Sequence, residues 1–267
     1  MIKIKEYRMV ESLEEAWQLN QKKSNRIIGG MLWVKMSSGN VQTAIDLSGL
    51  SLNKIEETEE EFRIGCMVNL RQVEQHKGLH AYSCGMVREA IRHIVGVQFR
   101  NLATVGGSIY GRFGFSDVLT IFMVMDTYVE LYKGGILPLR EFVKMPYDRD
   151  ILVRLIIKKK PAFYDYQSVR NSQTDFPVLT CGLGKGGDDT YVFAIGGRPG
   201  KAMLLLDEKG ILATGLDEHS IKNFSEYAKN QVKTQTNVRG SAAYRTHLVG
   251  VLVERALNRL KGESLCR

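Results

Sequence analysis

The sequence predicts an α+β fold in two domains, and three patterns carry that expectation. Helix-period and strand-period segments intermix up to about residue 158, short β-rich segments with glycine turns follow, and two amphipathic helices close the chain. The run Lys158-Lys159-Lys160 with Pro161 marks the boundary, giving domains 1–158 and 159–267.

Ser12-Leu13-Glu14-Glu15 is a capping-box pattern ahead of Ala16, Trp17 and Leu19, which predicts an amphipathic helix. Arg26-Ile27-Ile28 reads as a short strand running into Gly29-Gly30, and Thr43–Leu47 as another after the polar turn Ser37–Asn40. The pattern changes near residue 54, dividing the first domain into parts of about 1–52 and 53–158. Strands at Lys54–Glu56 and Phe62–Cys66 flank an acidic turn, and Val87, Ile91, Ile94 and Val95 recur at helical spacing. A helix from Asp117 to Met125, a strand at Tyr128–Tyr132, a hairpin turn at Lys133-Gly134-Gly135 and a strand at Ile151–Ile157 complete this domain.

Beyond the boundary, residues 162–169, 177–181, 190–195 and 202–206 predict an antiparallel sheet, and helices are expected near 217–228 and 241–261. In the last helix Tyr244, Leu248, Val251, Leu252, Ala256 and Leu260 form one stripe, widened by Val249, Val253 and Leu257. So broad a face predicts burial against the sheet and against a subunit neighbour.

No apolar run approaches the roughly 18 residues of a membrane span, and the N-terminus lacks a hydrophobic signal core. A cytoplasmic protein without membrane association is expected. Cys66, Cys84, Cys181 and Cys266 are scattered, which argues against a metal or iron–sulfur site on this chain and predicts reduced thiols. A net charge of +8 is compatible with nucleic-acid binding. However, the lysines and arginines are dispersed and no nucleic-acid-binding motif is present, so the charge points to acidic partner chains or anionic cofactors.

Two glycine turns carry chemistry. In Ile27-Ile28-Gly29-Gly30-Met31-Leu32-Trp33 a strand ends in a glycine pair whose N–H groups could form an anion-binding nest, although an ordinary turn has the same composition. In Thr104-Val105-Gly106-Gly107-Ser108 a second pair is flanked by hydroxyls, with Asp117 downstream as either a ligand contact or a plain helix cap. Two separated turns suit an extended dinucleotide, yet neither matches the Rossmann or phosphate-loop fingerprint. Gly182–Gly187 lacks a hydroxyl residue after its lysine and reads as a flexible hairpin.

Asn101–Ile109 followed by Ser116-Asp117-Val118-Leu119 resembles the second FAD-binding motif of the flavoprotein subunits of the xanthine dehydrogenase and carbon monoxide dehydrogenase family. Ile28–Met36 is similar to the first motif, and Arg239–Leu248 to the start of that family's closing helix, so the resemblance spans nearly the whole chain. It implies a two-lobed FAD-binding domain of the vanillyl-alcohol-oxidase-like type and a smaller C-terminal domain. By the same resemblance Arg26, Ile27, Ile28, Gly29, Gly30, Met31, Leu32 and Trp33 would wrap the pyrophosphate and reach the flavin, with Trp33 against the ring. Thr104, Gly106, Gly107 and Ser108 would hold the pyrophosphate from the other side, Gly111 would be a further cofactor-binding residue, and Asp117 would contact the adenosine half. Ile94, Leu152 and Tyr166 fall at further contact positions, where core packing is an equal alternative.

Met31 stands where the family often has a hydroxyl, and Ser108 where it often has asparagine. The resemblance further implies a small partner subunit with 2Fe-2S clusters, a large one with the molybdopterin cofactor, and NAD⁺ as electron acceptor. No side chain is assigned as a general acid or base. The alternatives are a stand-alone FAD-dependent oxidoreductase with the same FAD domain, and a basic nucleic-acid-binding protein whose glycine turns are only structural.

Overall fold

The structure is a computed structural model that describes residues 1–262; Cys266 lies outside the described residues. The chain begins with β1 (Ile2–Met9), α1 (Leu13–Asn20), β2 (Arg26–Ile28), β3 (Gly39–Asp46), β4 (Ile55–Glu57) and β5 (Glu61–Gly65). Short helices follow: α2 (Leu70–Gln75), α3 (Lys77–Tyr82), α4 (Met86–Ile91), α5 (Val97–Arg100), α6 (Val105–Tyr110) and α7 (Asp117–Val124). Then come β6 (Thr127–Leu131), β7 (Gly135–Pro138), α8 (Leu139–Phe142), β8 (Leu152–Lys158), β9 (Ala162–Arg170), β10 (Pro177–Gly186), β11 (Tyr191–Gly196) and β12 (Met203–Leu206). Helices α9 (Glu218–Gln231) and α10 (Ala242–Leu260) end the described chain.

Backbone contacts group these elements into two compact units, each assembled from separated stretches. The first holds Met1–Val73, Val97–Gly111 and Thr127–Lys158. The second holds Glu74–Gly96, Arg112–Asp126 and the chain from Lys159 onward, so stretches from before residue 158 group with the C-terminal sheet.

In the first unit β1, β3 and β2 form a parallel sheet in that order. Strand β1 is a gain over the sequence reading: its alternation of apolar and charged residues is that of a strand lying at a sheet edge, with most of its side chains exposed. Helix α1 packs on β2 and β3 through the fully buried Ala16. Its cap forms as expected, Ser12 Oγ accepting from the Glu15 N–H at 3.1 Å, while the Glu15 carboxylate reaches past Ser12 to the Glu11 N–H at 2.9 Å. The antiparallel sheet β4-β5-β8-β6-β7 is registered by rows of alternate residues, among them Phe62–Ile157–Thr127 and Ile64–Leu155–Val129, all buried.

In the second unit the antiparallel sheet β12-β11-β10-β9 carries α4 and α7 on one face and α9 and α10 on the other. Gly182 and Gly184 lie within β10 and not in a flexible hairpin, because α7 crosses that strand closely. A β-carbon on Gly184 would lie 2.4 Å from the carbonyl oxygen of Val124. The broad face of α10 is accounted for inside the chain: Leu248, Val249, Leu252, Val253, Ala256, Leu257 and Leu260 are buried in one cluster with the sheet and α9. Tyr244 points out of it, 45% exposed, so the breadth of the stripe does not require a subunit neighbour.

Of the cysteines, Cys66 and Cys181 are free and buried, whereas Cys84 is disulfide-bonded, which corrects the expectation of uniformly reduced thiols. Two lysines of the 158–160 run are in ion pairs, Lys158 with Glu61 and Lys160 with Asp126. No helix among the described residues is long and apolar enough to cross a membrane.

Candidate cofactor site

The two glycine turns meet inside the first unit, although about 70 residues of sequence separate them. A β-carbon on Gly30 would lie 1.8 Å from the carbonyl oxygen of Leu102, and one on Gly29 would lie 2.6 Å from Oγ1 of Thr104. Both glycines are therefore demanded by close approach of chain to chain. Neither has a positive φ; the left-handed residue of the turn is Met31, at φ 56°. Its side chain packs beside the Ile28, Val41 and Ala44 cluster, so the side chain that lacks a hydroxyl is spent on core packing.

The first turn leaves a row of donors. The N–H groups of Gly29, Gly30, Met31 and Leu32 bond to no other atom among the described residues. Four successive N–H groups around a left-handed residue make a nest of partial positive charge suited to an anion. Arg26 beside it is exposed, Ile27 is half-buried and Ile28 is buried in the sheet. Trp33 keeps 38% of its surface exposed, and Phe99 meets its ring edge-on at 5.9 Å.

The second turn is satisfied internally. Val105 N–H donates to the Val68 carbonyl and Gly106 N–H to the Cys66 carbonyl, each at 2.8 Å. Thr104 caps α6 by accepting from Gly107 N–H at 3.1 Å, and Ser108 Oγ donates to the Thr104 carbonyl at 3.0 Å. A β-carbon on Gly106 would lie 2.8 Å from the Cys66 carbonyl oxygen. This turn thus props the first one, and what it can still offer an anion is the Thr104 hydroxyl hydrogen. Gly111 ends α6, its carbonyl accepting from the Tyr147 hydroxyl at 2.7 Å. Leu152 is buried at the start of β8.

Asp117, Tyr166 and Ile94 belong to the second unit. Ser116, not Asp117, caps α7, so Asp117 is released from capping. Its buried Oδ1 accepts from Arg170 at 2.5 Å and from the Tyr166 hydroxyl. Burial pushes the Asp117 carboxyl up from its ordinary range against the pull of Arg170 and Tyr166, and burial together with Asp117 pushes the Tyr166 hydroxyl well up. Arg170 was missed by sequence reasoning; an arginine at a strand end gives no local sign of a partner 53 positions away. Ile94 is half-buried.

The geometry fits the pyrophosphate of a dinucleotide: a close-packed glycine cradle, a row of donors with no acceptor among the described residues, and no carboxylate among the residues of either turn. Comparison with known proteins agrees. Residues 3–159, more than half of the chain, match the family described as FAD binding domain in molybdopterin dehydrogenase. A protein of Escherichia coli strain K12 named "Uncharacterized protein YgfM" is 26% identical, with 94% of each chain covered. The glyceraldehyde dehydrogenase medium chain of Sulfolobus acidocaldarius is 22% identical, covering 94% of this chain and 96% of that one. Among solved structures, the reconstituted CO dehydrogenase of Oligotropha carboxidovorans shares the fold at a TM-score of 0.87 and 19% identity, with 98% of this chain and 99% of that one covered. The chain belongs to the FAD-binding family of molybdopterin dehydrogenases and is an oxidoreductase subunit of the molybdenum hydroxylase class.

Proposed function

We propose that this chain is the FAD-binding subunit of a xanthine-dehydrogenase-like complex, taking electrons from 2Fe-2S clusters on a small partner subunit and delivering them to NAD⁺. A large partner subunit would hold the molybdopterin cofactor and the substrate. The name of the Sulfolobus relative, a medium chain, supports an assembly of several chains. The observation that carries the reading is the joining of the two glycine turns around N–H groups that have no partner among the described residues.

FAD supplies the redox chemistry when bound; the chain's residues bind, orient and shield. The N–H groups of Gly29, Gly30, Met31 and Leu32 would hold the pyrophosphate oxygens, and Thr104 would add its hydroxyl hydrogen. Gly106, Gly107, Ser108 and Gly111 act through backbone placement, since their own groups are engaged in shaping α6. Trp33, steadied by Phe99, would offer a flat apolar surface to the ring. Asp117, fixed by Arg170 and Tyr166, would accept from ribose hydroxyls through its carboxylate. Residues 1–158 would form the FAD-binding domain and 159–267 the C-terminal domain. No side chain of this chain is assigned as a general acid or base, and the proton that joins the two electrons before they leave as hydride would come from solvent.

The acceptor is tested by rapid mixing of the substrate-reduced complex with NAD⁺. NADH should form at the rate at which flavin colour returns. Return of colour with oxygen or ferredoxin but not with NAD⁺ would overturn the assignment.

A further inference from the structure

A cleft of about 870 Å³ opens within the second unit. Its floor is the outer edge of β9 from Tyr164 to Ser168, and β9 is the last strand of its sheet, paired only with β10 among the described residues. One rim is α4 and the residue that caps it, with Arg88 and Arg92; the other is α10, with Arg255 and Arg259. Five arginines line the cleft against two carboxylates, and one of the five, Arg170, has its side chain buried and held by Asp117. Both carboxylates are already matched, Glu89 to Arg92 at 3.0 Å and Asp165 to Arg259 at 2.9 Å. Arg88 and Arg255 are exposed and pair with no carboxylate among the described residues.

A strand edge offers a ladder of backbone donors and acceptors, and natural proteins leave one open where it is guarded by charge or where it receives a partner. Here positive charge stands on both sides of the edge. Side chains of an added strand alternate between the two faces, so consecutive acidic residues would reach the α4 rim and the α10 rim in turn. A small phosphate compound could use the arginines but would leave the strand edge unused.

We propose that this cleft receives an extended acidic segment of a partner chain, which joins β9 as a fifth strand. The cleft shares Tyr166 and Arg170 with the contacts that hold Asp117, but Arg88 and Arg255, which carry its unmatched charge, lie outside the cofactor reading.

Fluorescence anisotropy on the full chain with its bound cofactor tests it, using a labelled peptide Thr-Glu-Glu-Val-Glu-Glu. Binding should weaken at least about tenfold when glutamine replaces glutamate in the peptide, and as much in the double variant Arg88→Ser, Arg255→Ser. Methylating alternate backbone amides of the peptide should abolish binding, because the ladder cannot form. Circular dichroism and flavin content, measured on the variant, report folding and the cofactor site separately. Three results would overturn the proposal: no binding of the acidic peptide, which leaves the arginines as guards of the edge; equal binding of the methylated peptide; or binding unchanged in the double variant. Displacement by pyrophosphate together with indifference to methylation would assign the cleft to small anions and likewise overturn it.

Discussion

A single methyl group tests the first glycine turn. Gly30→Ala must push against the Leu102 carbonyl, a backbone atom that cannot swing aside, at a cost of about 1–3 kcal/mol. Gly107→Ala meets only the Thr104 hydroxyl, at 3.2 Å. Desalted Gly30→Ala protein should therefore lose most of its flavin, while Gly107→Ala keeps most of it; equal retention would break the link between the cradle and the cofactor. A second residue carries a pH signature. Hydrogen bonds from Lys133, then Tyr132 and Gln18, lower the Glu14 carboxyl to about 2 from its ordinary 4.5. A depressed carboxyl stabilises the fold above its unfolded value, and that contribution is lost as pH falls through the folded value. The urea midpoint of Glu14→Gln should lie below the parent's at neutral pH, and the gap should close as pH drops from 4.5 towards 2. A gap constant over that range would contradict the assignment.

Elements divide into those that the sequence spells out and those that depend on a neighbour. The cap at Ser12, the hairpin after β6 and the sheet β9–β12 were legible, because capping, turn chemistry and alternation are local. The reason for Gly184 was not, because it lies in the backbone of α7, 60 positions upstream. For the same reason Gly29 and Gly30 were found as a turn, which they form, but the close packing that also requires glycine there was not legible. Helix α10 shows the same limit in Arg245. This fully buried side chain donates to the carbonyls of Val178, Gln235 and Gly240 and to Asn237 Oδ1, tying the loop before the helix to β10. Arg245→Ala leaves buried acceptors without donors and should cost about 3–5 kcal/mol, read as a lowered thermal midpoint. Arg245→Lys should recover only part, since an ammonium cannot span four acceptors in one plane. A midpoint unchanged in the alanine variant would show that the loop holds without it.

At the scale of the whole molecule, the family resemblance was legible across the chain because two short motifs and a closing helix occur in order. The grouping of residues 74–96 and 112–126 with the C-terminal sheet was not, since no local pattern announces which sheet a short helix joins. The division of donors between the turns was equally hidden: sequence presents two glycine pairs as equals, and only the hydrogen bonds separate the turn that offers N–H groups from the turn that supports it. The account's central claim is that this pair of turns holds FAD. The most direct measurement is the flavin content of the purified full-length chain, from its visible spectrum and from the nucleotide released by heat. The account predicts stoichiometric FAD, released as the dinucleotide; a colourless, folded chain that takes up no FAD on incubation would contradict it.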